Sequence, residues 1–189
     1  MPPTLVPFRV TVCGLTELAA HADADVSHVV SILDPEWPDP EDFARYRPHR
    51  RVLWRFHDTI REAPGTRPPS RADVAEILEF GRTLAERTVE HLLVHCHMGI
   101  SRSTATVIML LAQRHPGRET DAFQALRAIR PHTWPNSRMI RFADELLGRD
   151  GALVTAMRAH HAVMARAYPD LAEQLRHGER ADEVPPRQG

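Results

Sequence analysis

The chain has 189 residues, of which 42% are hydrophobic, and this is enough for one globular domain with its own core. Its formal net charge is −1, whereas proteins that grip a nucleic-acid backbone usually carry a basic surplus, so no nucleic-acid partner is expected. The sequence contains neither the long apolar run of a membrane span nor a secretory signal, so we expect a cytoplasmic protein with no membrane partner.

The first half of the chain alternates predicted strands with predicted helices. The strands are short segments rich in Val, Ile, Leu or Phe, and several lack clean alternation, as strands buried on both faces do. They span residues 8–13, 26–33, 51–56 and 91–95. A short helix is predicted over 15–21 and a longer one over 71–87, where Ser70 and Asp73 form a capping pair. The Pro-rich segment 62–70 predicts an exposed loop.

Helices dominate the second half. The segment 101–114 is apolar nearly all round, which predicts a helix at the centre of the molecule. Further helices are predicted over residues 119–129, 137–147, 152–166 and 169–176. This order of elements predicts an α/β fold with a small, mostly parallel central sheet flanked by helices. We expect one domain over residues 1–177 and a disordered tail over 178–189, which is charged and contains proline.

The segment that carries chemistry is VHCHMGISRST, residues 94–104. An apolar strand leads into Cys96, Arg102 follows six positions later, and a buried helix begins there. A tight loop between a strand and a helix turns successive backbone N–H groups inward, and the helix N-terminus adds partial positive charge. Gly99 allows the loop a conformation that other residues resist. The sequence therefore predicts an anion cradle of phosphate size.

Cys96 and Arg102 are the predicted reactive residues of this cradle. A cysteine at the base of a positive field is favoured as thiolate, which is a strong nucleophile at neutral pH. The planar guanidinium of Arg102 can bind two phosphate oxygens at once. The two cysteines of the chain, Cys13 and Cys96, are too few for a disulfide framework or a thiolate zinc site.

The segment HCHMGISRS, residues 95–103, resembles the His-Cys-five-residues-Arg-Ser/Thr pattern of the protein tyrosine phosphatase superfamily, and most closely its dual-specificity branch. Two further segments, VSHVVSILD (26–34) and RPHTWPN (130–136), are similar to elements of the same branch, so the resemblance covers residues 8–147. It implies a hydrolase that acts through a phospho-cysteine intermediate and needs neither a metal nor a cofactor.

The resemblance also assigns roles to individual residues. It implies a general acid upstream of the cysteine, for which Asp58 is the candidate and Asp34 and Asp39 are rivals. Ser103 is expected to ease departure of the Cys96 thiolate, and His95 and Asn136 are supporting residues. The phosphate is expected to lie on the loop formed by His97, Met98, Gly99, Ile100, Ser101 and Arg102.

The substrate and some alternatives stay open on the sequence alone. Phosphotyrosine, phosphoserine and phosphothreonine in proteins are the first expectations, and a small phosphomonoester, phospholipid, nucleotide or RNA substrate is the alternative. The loop contains no Lys or Arg before Arg102, which argues against polyphosphorylated lipids. A phosphate-binding protein without activity is the rival from another class.

A metal site at His95 and His97 is disfavoured because alternating His-Cys-His is poor spacing for one tetrahedral ion. Cys13 is interpreted as a small core residue, with a protective disulfide to Cys96 as the alternative.

Overall fold

The computed structural model describes residues 5–85 and 88–186. Its centre is a four-stranded sheet in which every described pairing is parallel and the strand order is β1-β4-β2-β3. The strands are β1 (Arg9–Cys13), β2 (His28–Leu33), β3 (Arg50–Arg55) and β4 (His91–His95). The predicted α/β class with a small parallel sheet is confirmed. The two central strands, β2 and β4, are buried along their whole length, which explains why their sequences do not alternate.

The helices lie close to their predicted positions. They are α1 (Arg71–Ala85), α2 (Arg102–Arg114), α3 (Glu119–Ile129), α4 (Ser137–Leu146), α5 (Ala152–Ala167) and α6 (Pro169–Arg176). Short 3-10 helices span Leu15–His21, Glu41–Arg45 and Ala181–Glu183. The predicted end of α1 at residues 86–87 lies outside the described residues. The capping pair at the start of α1 is present, since Ser70 N and Oγ both donate to Asp73 Oδ2.

The central position predicted for α2 is confirmed. Every residue from Arg102 to Ala112 is buried. The apolar side chains of this helix join those of β4, α1, α3 and α4 in the main hydrophobic core. Because α2 begins directly after the loop that follows β4, burial of the helix fixes the position of that loop.

The end of the chain differs from the predicted disordered tail. Residues 178–186, here called the C-terminal segment, fold back onto the domain. Arg180, Glu183 and Val184 are buried there, and Val184 packs in a small cluster with Trp134 and Met164. The correction has a physical reason: Arg180 and Glu183 form an ion pair and bind other buried groups, which the composition of the segment does not reveal. Residues 187–189 lie outside the described part of the chain.

In the described ranges, 5–85 and 88–186, no helix is both long enough and apolar enough to cross a membrane.

The turn between α4 and α5 is organised by one buried carboxylate. Asp144 Oδ1 accepts a hydrogen bond from Gly151 N at 2.7 Å. Its Oδ2 accepts from Leu153 N at 2.9 Å and Val154 N at 3.2 Å. These amides belong to the first turn of α5 or directly precede it, where no helical acceptor exists. Asp144 therefore serves as a long-range cap for α5.

We predict that Asp144→Ala lowers the free energy of unfolding by about 2 kcal/mol, because three amides lose a charged acceptor. Urea denaturation followed by circular dichroism measures this. The control is Glu145→Ala, which removes an exposed carboxylate 4.0 Å from Arg71 Nε and should change the free energy of unfolding by less than about 0.5 kcal/mol. Equal losses in the two variants would contradict the capping role.

Candidate active site

The carboxyl ends of all four strands meet at one edge of the sheet, because the strands are parallel. Cys96 follows β4, Asp34 follows β2, and Phe56 to Asp58 follow β3. Gly14 follows β1 and lies against the backbone of residues 97 and 98. Open parallel sheets bind ligands outside the carboxyl ends of their strands. The fold therefore brings together the reactive segment and the ends of the neighbouring strands.

In the loop of residues 96–102, here called the phosphate loop, three carbonyl groups accept hydrogen bonds from neighbouring segments of the chain. His97 O accepts from Leu15 N at 2.9 Å, and Ile100 O accepts from Trp134 N at 2.8 Å. Met98 O accepts from Arg130 Nη2 at 3.3 Å. Among the described residues, no backbone amide of residues 97–101 donates a hydrogen bond to a protein group. A run of unpaired amides within one tight loop is an anion-binding cradle.

Cys96 lies at the base of the phosphate loop. The residue is buried, and its Sγ is 3.2 Å from Ser103 Oγ in the first turn of α2. A hydroxyl at this distance can donate a hydrogen bond to a thiolate. The structure therefore places the two side chains, predicted as nucleophile and as its helper, in direct contact.

Arg102 is a buried cation anchored through one of its nitrogens. Nη1 donates to Asp34 Oδ1 at 2.6 Å and to the carbonyl oxygen of Phe56 at 2.5 Å. Nε is buried and has no hydrogen-bond partner among the residues described. A buried donor left unpaired is costly, so its persistence points to a ligand atom that would bind there.

Asp34 thus binds Arg102, a role that the sequence interpretation did not give it. Its backbone N–H also lies 3.3 Å from His97 Nε2, and the centroid of the His97 ring is 4.5 Å from that of Trp37, with the two ring planes tilted by 57°. The other rival acid, Asp39, forms ion pairs with Arg51 and Arg55 instead. Asp34 could have been suspected from its position, since it directly follows the strand that pairs with β4.

Asp58 is held by a network of polar groups. Its Oδ1 accepts from Ser101 Oγ at 2.6 Å and from Asn136 Nδ2 at 3.0 Å. Its Oδ2 is 3.5 Å from Arg180 Nη1. Burial by itself would raise the pKa of Asp58, but the guanidinium groups of Arg180 and Arg102 and the two hydrogen bonds lower it by more, so that the pKa lies below its ordinary value. The carboxyl group is therefore ionised at neutral pH in the unliganded protein.

Two buried titratable side chains near the nucleophile, those of His95 and Cys13, are neutral at pH 7. His95 is fully buried, with Nε2 2.6 Å from Ser31 Oγ, and burial lowers the pKa of His95 to about 4. Cys13 is also fully buried, and burial raises the pKa of its thiol to about 12. Cys13 is thus a core thiol in the described chain, as its sequence context suggested, and both cysteines are free.

Two residues of the segment 130–136 connect the phosphate loop to its surroundings. Arg130 donates to both carboxylate oxygens of Glu17, at 2.7 and 2.8 Å, as well as to Met98 O. Asn136 caps α4 by accepting from Arg138 N and Met139 N, while its Nδ2 binds Asp58. Asn136 therefore reaches the phosphate loop through Asp58 and Ser101.

Arg180 was missed by the sequence interpretation, which drew nothing functional from the end of the chain. Its Nη1 donates to Ser101 Oγ at 2.5 Å, and its Nη2 donates to Trp134 O at 3.0 Å. No local sequence signal distinguishes this arginine from the 23 others, because all 24 basic residues are Arg. No group of three or more His, Cys, Asp or Glu side chains within residues 5–85 and 88–186 is arranged to hold a metal ion.

Comparison with solved structures identifies the fold. No family model matches the chain, and no curated protein is significantly similar to it in sequence. The Yvh1 phosphatase domain from Chaetomium thermophilum is 20% identical, with a TM-score of 0.54 over 76% of this chain and 93% of that chain. Human DUSP28 is 19% identical, with a TM-score of 0.55 over 77% and 97% of the two chains. The human tyrosine phosphatase-like serine/threonine/tyrosine-interacting protein is 19% identical, with a TM-score of 0.57 over 79% and 97%. The fold is that of the dual-specificity phosphatases.

Gly99 provides a direct test of the phosphate loop. Its φ is +67°, and a Cβ at this position would lie 2.5 Å from Cys13 C and 2.6 Å from Cys13 O. We predict that Gly99→Ala displaces the loop and abolishes binding of orthovanadate, measured by isothermal titration calorimetry. The control is Gly117→Ala, because Gly117 has a φ of +80° but a Cβ there would meet nothing within 4 Å. Loss of binding in both variants, or in neither, would contradict the proposed role of close packing at Gly99.

Proposed function

We propose that the chain is a cysteine-dependent phosphomonoester hydrolase and that Cys96 is its nucleophile. One observation carries the proposal: among the described residues, the backbone amides of loop positions 97–101 and the buried Nε of Arg102 have no protein acceptor, and they belong to the loop that begins at Cys96. This arrangement has donors for the oxygens of a phosphoryl group and a sulfur at its base. Amide and guanidinium donors in this arrangement stabilise the negative charge that spreads over the three phosphoryl oxygens in the transition state.

In the first step, the Cys96 thiolate attacks phosphorus and the bond from phosphorus to the ester oxygen breaks. The phosphoryl oxygens bind the amides of residues 97–102 and the free edge of the Arg102 guanidinium. Asp34 and Phe56 O hold the opposite edge of that group, so its orientation is set before the substrate arrives. The products of this step are an alcohol or phenol and a phospho-cysteine.

Asp58 supplies the proton that the leaving oxygen needs. Because its carboxyl group is ionised in the unliganded protein, the proton must come with the substrate. A phosphomonoester loses its second proton near pH 6, so the monoanion carries one proton into the site. The added negative charge of the phosphate beside Asp58 favours the protonated carboxyl group. The proton therefore passes from the phosphate to Asp58 and then to the departing oxygen.

In the second step, water attacks the phospho-cysteine. The Asp58 carboxylate left by the first step accepts a proton from that water, and the sulfur–phosphorus bond breaks. The Ser103 hydroxyl, 3.2 Å from Cys96 Sγ, stabilises the thiolate as it leaves. Asp58 passes the proton it took from water to the phosphate, inorganic phosphate is released and Cys96 returns to the thiolate; neither a metal nor a cofactor takes part.

We propose a phosphorylated protein side chain as substrate, with small aryl phosphomonoesters as surrogates. Two large hydrophobic side chains in the described chain are exposed, Trp37 at 44% and Met98 at 69%, and both lie at the phosphate loop. An apolar rim of this kind fits the ring of phosphotyrosine or the aliphatic part of phosphothreonine. Loop positions 97–101 contain no Lys or Arg, so these positions supply no cationic side chain for a second phosphate.

The nucleophile is tested by a pair of cysteine variants. Cys96→Ser should lower the rate of p-nitrophenyl phosphate hydrolysis by several orders of magnitude, because a hydroxyl is a far weaker nucleophile than a thiolate at neutral pH. The matched control is Cys13→Ala, which changes the other buried cysteine and should retain most of the rate. Substantial hydrolysis by Cys96→Ser would overturn the covalent mechanism.

The roles of Asp58 and Asp34 can be distinguished by how the rate of each variant depends on the leaving group. Asp58→Asn should slow phenyl phosphate by about 100-fold or more and p-nitrophenyl phosphate much less, because an acid matters most for a poor leaving group. Asp34→Asn should slow both substrates alike and raise KM, because it loosens Arg102 without touching the leaving oxygen. Steady-state kinetics on the two substrates measures this. A leaving-group-dependent defect in Asp34→Asn alone would move the acid role to Asp34.

A further inference from the structure

The C-terminal segment reaches the site through one side chain. Arg180 is 8% exposed, and each of its three guanidinium nitrogens donates a hydrogen bond. Its Nε donates to Glu183 Oε2 at 2.7 Å, its Nη2 to Trp134 O at 3.0 Å, and its Nη1 to Ser101 Oγ at 2.5 Å. The same Nη1 is 3.5 Å from Asp58 Oδ2. Arg180 thus contacts the loop that binds phosphate and the carboxylate proposed as the acid.

This segment is anchored independently of Arg180, so its position is built into the fold. Glu183 Oε1 accepts from Ser137 N at the start of α4, at 2.7 Å. Val184 packs with Trp134 and Met164 in a small apolar cluster, and Ile100 of the phosphate loop packs against that cluster. Residues of α5 and α6 belong to the apolar cluster against which the phosphate loop packs. The C-terminal segment that follows these helices brings the Arg180 guanidinium into contact with Ser101 of the loop.

We propose that Arg180 is a positioning residue of the site: it holds Asp58 and Ser101 in their working geometry and places a positive charge 3.5 Å from Asp58 Oδ2. This inference rests on the proposed function for its catalytic consequence. Ser101 Oγ donates to Asp58 Oδ1 and accepts from Arg180, so the hydroxyl has one orientation that satisfies both neighbours. Removal of Arg180 would release that orientation and take a positive charge from the carboxylate.

The charges around Asp58 make the effect testable by pH. The charged or titratable groups that face Asp58 are Arg180, Arg102 and His97, and Glu183 lies behind Arg180. Arg180 is the largest of the charge effects that lower the pKa of Asp58. Without it the carboxyl group keeps its proton to higher pH. When kcat for a substrate with a poor leaving group is plotted against pH, the alkaline limb should therefore move to higher pH.

The experiment compares Arg180→Met, which removes the charge, with Arg180→Lys, which keeps it. With phenyl phosphate, Arg180→Met should lower kcat by about 10- to 100-fold through lost positioning and move the alkaline limb to higher pH. Arg180→Lys should leave the limb near its original pH. The control is Arg61→Met, which removes the ion pair between Arg61 and Asp182 of the same segment and should change neither quantity. A purely structural arginine would lower kcat without moving the limb.

Arg180→Met leaves the buried Glu183 carboxylate without its ion-pair partner, which can prevent folding. A second variant, Arg180→Met/Glu183→Gln, therefore removes both charges, while its amide oxygen can still accept from Ser137 N. Titration of the Asp58 carboxyl carbon by NMR, assigned by difference with Asp58→Asn, then reads the charge effect without turnover. A higher titration midpoint in the double variant supports the proposal even if the protein hydrolyses no phosphomonoester, in which case only the proposed function fails. An unchanged midpoint, or equal shifts in the Lys and Met variants, overturns it.

Discussion

The site depends on a buried arginine whose guanidinium is only partly satisfied by the protein. Arg102 is 3% exposed at its side chain, and burying a cation is costly unless its donors are paired. Asp34 and the carbonyl oxygen of Phe56 pair with Nη1, while Nε has no partner among the described groups. The protein thus stabilises the charge and orients it, yet leaves donor capacity for an anion. In the function we propose, the oxygens of a phosphoryl group would take up this capacity.

The parallel sheet explains why these groups meet. Asp34, Phe56 and Cys96 follow three neighbouring strands, and the strand order places β4 between β1 and β2. Burial of α2 then fixes the first helical turn, which carries Arg102 and Ser103. Gly99 allows the loop to turn with positive φ while its Cα packs against the backbone of Cys13. The sheet, the buried helix and the glycine together fix the position of the loop.

Much of this could be predicted because the signals are local. The bounds of β4 and α3 agree with the hydrophobic pattern, and the reactive loop lies between a strand and a buried helix as predicted. The grouping of Cys96 with Ser103 was expected from the resemblance, which gave Asn136 a supporting role but did not pair it with Asp58. Local patterns work here because strand and helix propensities, capping residues and glycine conformation are properties of short segments.

The remainder depends on contacts between residues far apart in sequence. Asp34 was considered as an acid, but its binding to Arg102 depends on a separation of 68 positions, and the contact of Arg180 with Ser101 spans 79. Composition suggested that residues 178–189 are disordered. In the structure, residues 180–184 are held against the domain by the buried side chains of Arg180, Glu183 and Val184. The protonation of Asp58 also could not be predicted, because it is set by the sum of burial, two guanidinium groups and two hydrogen bonds.

The central claim is that Cys96 becomes phosphorylated during turnover in a cradle organised by Arg102. The most direct measurement is mass spectrometry of the protein after acid quench in the presence of phenyl phosphate, with peptides mapped to both cysteines. We expect one phosphoryl group on the peptide that contains Cys96 and none on the peptide that contains Cys13. Hydrolysis of the substrate with no phosphorylated Cys96 peptide at any quench time would contradict it.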